Sequence, residues 1–174
     1  LTVDLGGVSV KISQVGRGHT KGDTIAWLAD DKILFAGDLV EFGATPYTGD
    51  AYLRDWPQTL ANLQRLKPEK LVPGRGAATF SAAESQKAIA ATLAFVSDLY
   101  DFTKEASAGG RSLNEVYQKV YPQMNAKYGH LVIFEHCMPF DISRAYDEAN
   151  GIEHPRIWTA ERDKQMWSEL SLES

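Results

Sequence analysis

GRGHTKGDTIAWLADDKILFAGDLVE, residues 16 to 41, is the stretch on which the reading of this chain turns. A histidine, His19, ends a glycine-rich approach, and two strand-like runs follow, TIAWLA and KILFAGD, joined by the turn residues Asp30 and Asp31. The second run closes on Gly37 and Asp38, so His19 and Asp38 are expected at strand-to-loop junctions. A side chain placed there is held by a rigid sheet yet faces an open rim, as metal-binding and catalytic groups require. Two plainer roles compete with that one. A histidine is often a hydrogen-bonded structural residue, and an aspartate after glycine can be a turn former or a helix N-cap.

Upstream, TVDLGGVSVKIS alternates apolar positions on either side of Gly6-Gly7, which predicts a hairpin. The chain opens on Leu1 directly in this strand-like run, and the start reads as a cut. Downstream the period changes: Trp56, Leu60, Leu63 and Leu66 predict an amphipathic helix that starts near Asp55-Trp56-Pro57 and stops before Pro68. KLVPGRG follows as a short buried strand closed by Pro73-Gly74. Ser81 and Glu84 stand in capping-box spacing ahead of a long helix that Gly109-Gly110 ends, and Ser112 and Glu115 repeat the pattern ahead of another. Pro122 is expected to end or kink that helix. Two more helices, over MPFDISRAYDEANG and TAERDKQMWSEL, are separated by Gly151 and His154-Pro155.

With 44% hydrophobic and 24% charged residues in 174, the chain can bury a core. A formal net charge of -5 argues against nucleic acid or an anionic membrane as partner, since neither polyanion gains from an acidic surface. A small-molecule substrate is the expectation. Cys137 is the only cysteine, so no intrachain disulfide forms, and it reads as inert core. No run approaches the roughly 20 apolar residues of a membrane span, so a soluble protein is expected, its compartment, cytoplasmic or periplasmic, left open.

The string as a whole resembles the metallo-β-lactamase superfamily. Its Gly-x-x-His-Thr-x-Gly-Asp segment is matched by Gly16, His19, Thr20, Gly22 and Asp23, and its Leu-Phe-x-Gly-Asp strand end by Leu34, Phe35, Gly37 and Asp38. The resemblance implies that His19 and Asp38 are metal ligands in a zinc-dependent hydrolase, with Asp38 bridging toward a second ion, and that Thr20, Gly22 and Asp23 shape the ligand turn. Zinc accepts imidazole and carboxylate donors and lowers the pKa of a bound water toward about 7. Two departures stand against a full site. The His-x-His-x-Asp-His loop of the family is absent from this sequence, and KLVPGRG places Arg75 where the family has a ligand histidine. Arginine cannot ligate; it can pair with Asp38, hold an anionic substrate, or simply be exposed.

The resemblance therefore implies an α/β fold: half of an αββα metallo-β-lactamase sandwich over residues 1–108, with a helical C-terminal extension over 109–174 packed on it. The complete protein would hold one or two zinc ions, while these residues alone are expected to be inactive. The alternative is a non-catalytic half-domain that forms a homodimer or pairs with a missing N-terminal half. In the remainder, His130, His136 and Cys137 form a secondary metal candidate, Leu131 to Phe134 read as core, Glu161, Arg162 and Asp163 as a solvated helix face, and Trp158 and Trp167 as anchors for the tail.

Overall fold

The computed structural model describes residues 1–170. Five strands form one sheet in sequence order: β1 (Thr2–Asp4), β2 (Ser9–Ser13), β3 (Ile25–Leu28), β4 (Ile33–Phe42) and β5 (Lys70–Gly76). The first four run antiparallel, and β5 lies parallel to β4. That switch requires a crossover, supplied by α1 (Trp56–Arg65), since a tight turn cannot join parallel strands. The β1–β2 turn needs left-handed backbone at both Gly6 (φ 77°) and Gly7 (φ 101°), and Asp4 Oδ1 accepts the Gly7 N–H at 2.9 Å.

Four further elements are helical: α2 (Ala82–Ser107), α3 (Leu113–Tyr128), α4 (Phe134–Ala149) and α5 (Ala160–Leu170). Ser81 caps α2, and at α3 both halves of the capping box close, with Ser112 Oγ accepting the Glu115 N–H and Glu115 Oε2 accepting the Ser112 N–H at 2.8 Å. Pro122 does not stop α3. It sits inside the helix, where burial of Val116, Val120 and Met124 on one face outweighs the backbone bond a proline removes. The next helix begins at Phe134, four residues before the expected start at Met138. Its N-cap, Ile133, takes a left-handed φ of 61°, a strained conformation for a β-branched residue. Phe134 is core, as read from the sequence, but Val132 (64% exposed) and Ile133 (41%) are surface.

Alternation along β4 divides the sheet into two faces. Leu34 and Ala36 are buried with Ile25 and Leu71 in the core shared with α1 and α2, among Trp56, Leu60, Phe95 and Leu99. On the opposite face Ile12, Ala26, Phe35 and Val72 stand directly across from one another in register. None of these four is fully buried, and Phe35 is 43% exposed. The mixed α/β architecture expected from the sequence is what the fold shows. Among the described residues no helix is long and apolar enough to cross a membrane.

Candidate functional site

His19 sits in the loop between β2 and β3, and its backbone is fixed by close packing at Gly18. A Cβ on Gly18 would lie 2.7 Å from Trp56 Cδ1 and 2.8 Å from Leu39 Cδ2, so only glycine lets the loop pass. The His19 ring meets Trp56 edge-on, centroids 6.0 Å apart. Beyond it the turn is clasped by Asp23, whose carboxylate accepts the Thr20 N–H at 2.9 Å and the Thr20 hydroxyl at 2.7 Å. Asp23 thus orders the turn that presents His19.

Asp38 lies within β4 and not at the strand-to-loop junction expected from the sequence, because the strand runs on to Phe42, and it is neither a turn former nor a helix cap. Gly37 adopts φ 55°, and the pairing with β5 slips on both sides of it, so the strand bulges where Asp38 stands. β5 presses on this bulge through Gly74, where a Cβ would fall 2.0 Å from Asp38 Oδ1. The sequence shows Pro73-Gly74 as a strand closure, but only the tertiary packing reveals that Gly74 makes room for the carboxylate.

These two local arrangements converge. His19 Nε2 and Asp38 Oδ2 are 4.0 Å apart, on a cleft of about 280 Å³ lined also by Thr20, Asp23, Gly37 and Leu39. Tetrahedral zinc with bonds of roughly 2.0–2.2 Å sets its donors about 3.4 Å apart, so imidazole and carboxylate would have to close by about half an ångström to serve one ion. Among the described residues no group of three His, Cys, Asp or Glu side chains is placed to hold a metal. His19 and Asp38 are thus a pair of potential donors, and among the described residues His130, His136 and Cys137 do not assemble into a group of three.

Arg75 does not pair with Asp38. The β4–β5 register sets it opposite Glu41, and its Nη1 donates to Glu41 Oε1 at 3.0 Å. The Glu41 side chain is fully buried and its Oε2 has no hydrogen-bond partner. Burial pushes the Glu41 carboxyl up to about 8, against the pull of Arg75 and with the Asp38 charge adding to the rise. Nothing in the sequence motif pointed to Glu41; its one signal is a glutamate in an otherwise apolar strand, LVEF.

The tail differs from the sequence reading in one respect. Arg162 is not part of a solvated face, because it bonds Asp147 at 3.0 Å and stacks over Trp158 at 4.0 Å. Trp158 is a packing anchor, donating to the Gly49 carbonyl at 3.2 Å, while Trp167 is 48% exposed.

The family model for the metallo-beta-lactamase superfamily matches residues 1–75, the region that holds both convergent side chains. Over this region the chain is similar to members of the metallo-beta-lactamase superfamily. It is 34% identical over 56 residues to a type 2 metallo-beta-lactamase of Elizabethkingia meningoseptica, covering 30% of this chain and 22% of that protein. It is 32% identical over 81 residues to the type 2 metallo-beta-lactamase of Bacteroides fragilis, covering 44% and 32%. The chain thus spans less than a third of these curated relatives. A metallo-beta-lactamase family protein from Thermus thermophilus shares the fold, with a TM-score of 0.60 at 15% identity over 87% of this chain and 48% of that one. The superfamily match ends where the long helices begin, so the segments packed behind the site lie outside it.

Proposed function

We propose that His19 and Asp38 are two of the protein ligands of a zinc ion in a metal-dependent hydrolase acting on a small molecule. The observation that carries this reading is their convergence to 4.0 Å on a shared cleft, from two separately constrained backbones. Bound zinc would supply a Lewis acid and an activated water. The chain's own residues prepare that position: Trp56 holds the His19 ring, Asp23 locks the turn behind it, and Gly74 lets β5 support Asp38. Arg75 has further N–H groups that bond to none of the described residues, and these would anchor an anionic group of the substrate while Glu41 holds the guanidinium in place. A catalytic zinc takes three protein ligands, so these residues alone are inactive in this reading and the remaining donors come from elsewhere in the whole protein or from a second chain.

Isothermal titration of the chain with zinc tests the proposal. The wild type takes up the ion, and His19→Ala and Asp38→Ala each remove the uptake; undiminished affinity in both variants would refute it.

The open sheet face favours a second reading. The row Ile12, Ala26, Phe35 and Val72 offers apolar area to a second copy or to another sheet, which would make this a half-domain that works by association. Light scattering across a concentration series checks it, and a monomer throughout excludes the homodimer.

A further inference from the structure

The loop between β4 and α1, residues 43–55, is held along its backbone by the C-terminal helices and the segments that join them. Its Thr45 N–H donates to Val132 O at 3.0 Å. The Thr48 N–H and hydroxyl donate to Asp141 Oδ1 at 2.7 and 3.0 Å, and Trp158 Nε1 donates to Gly49 O. Arg144 Nε reaches Ala51 O at 2.7 Å, and the Leu53 and Arg54 N–H groups donate to Glu148 at 2.9 and 3.0 Å. Thr48, Asp141 and Arg144 are themselves buried, so this loop is preorganised by a fixed frame.

What the frame presents is Tyr47. Its ring lies between His19, centroids 6.4 Å apart, and Phe140, 5.9 Å apart. Gly49 leaves the space it occupies, since a Cβ there would stand 2.2 Å from the Tyr47 hydroxyl oxygen. The ring is only half-buried, and its hydroxyl bonds to no described residue. A tyrosine serving the core alone would bury its ring and pair its hydroxyl. The aromatic run continues outward through Phe140 to His136 and Trp167, both exposed.

We propose that Tyr47, flanking His19 next to the residues that line the cleft, is a substrate-contacting residue, an aromatic wall that takes an aromatic or apolar group of the substrate. Asp141 is a positioning residue acting through Thr48. The proposal rests on His19 and Asp38 marking the reactive centre.

The test is a titration of the full isotope-labelled chain, without added metal, with benzyl alcohol as a neutral aromatic probe, following the ring resonances of Tyr47, His19 and Phe140. Saturable shifts at all three are expected. Tyr47→Leu weakens binding roughly threefold to tenfold, the size of one aromatic contact, while Tyr47→Phe keeps it. Asp141→Ala weakens it as well, and Asp141→Asn, which retains an oxygen acceptor for Thr48, restores it. Shifts that are absent, confined to Trp167, or equal in Tyr47→Leu overturn the proposal; should Tyr47→Leu not fold, the wild-type shifts and Tyr47→Phe decide. Zinc titration of the same sample reports the metal centre separately. Loss of zinc uptake with intact probe binding would therefore count against the ligand reading alone, and the reverse against the aromatic wall alone.

Discussion

The sheet half of the molecule, residues 1–76, and the helical half, residues 82–170, divide the work of building one site unequally. The sheet half supplies both convergent side chains and covers only one of its faces. The helical half supplies no residue that lines the His19–Asp38 cleft, yet it holds a buried polar network: Asp141, Arg144, Asp147 and Glu148 all lie on α4 and are all nearly inaccessible. The difference teaches that chemistry and positioning reside in different parts of the chain. A ligand needs the right atom on a constrained backbone, whereas a loop that presents a side chain needs peptide groups bonded to something rigid.

Breaking the helical frame should have the largest effect on stability. Arg144, with no exposed side-chain area, bonds the Ala51, Ile152 and Glu153 carbonyls and Glu148. Arg144→Ala leaves Glu148 buried beside a lost partner and should cost about 3–5 kcal/mol by chemical denaturation. A cost near zero would mean the network is not what holds the loop.

The two faces of the sheet offer the next contrast within a single pair of residues. Leu34→Ala, in the core, should cost about 2–5 kcal/mol, and its neighbour Phe35→Ala, on the open face, less than about 0.5 kcal/mol in the isolated chain. Similar losses at both positions would show that the open face is already covered in solution, and would strengthen the association reading.

Asp141 gives the comparison a pH axis. Burial raises its carboxyl well above the ordinary value, against the lowering by its bonds to Thr48, and its Oδ2 has no partner. The folded chain therefore keeps a proton that the unfolded chain releases, so stability present at acid pH declines as pH rises above the usual carboxylate range. Glu41 adds a slope of the same sign. Thermal unfolding at about pH 5 and about pH 8 should show a smaller decline in Asp141→Asn than in the wild type; parallel slopes would assign the effect elsewhere. The smallest expected change is at the surface start of α3, where Ser112→Ala removes one half of the capping box and should cost about 1 kcal/mol.

Much of the fold was legible before the structure. The Gly6-Gly7 turn, the two Ser-x-x-Glu caps and the strand-period runs each follow from local backbone chemistry, which sequence spacing records directly. Pro122 misled because the penalty of a helix proline is local while the compensating burial of Val116, Val120 and Met124 is tertiary. Val132 and Ile133 misled because an apolar run says nothing about which side of a turn faces water. Arg162 was read as solvated because its partners, Asp147 and Trp158, lie on other segments.

By itself the sequence carried the resemblance to the metallo-beta-lactamase superfamily over its first 75 residues and singled out His19 and Asp38, because residue type and local spacing are written along the chain. Only the tertiary structure decided that Arg75 faces Glu41 across a parallel register, that Gly74 yields space to Asp38, and that Asp141, 93 positions from Thr48, fixes the loop carrying Tyr47. Those relations are distances between remote parts of the chain, set by how the core packs, and linear spacing carries no record of them.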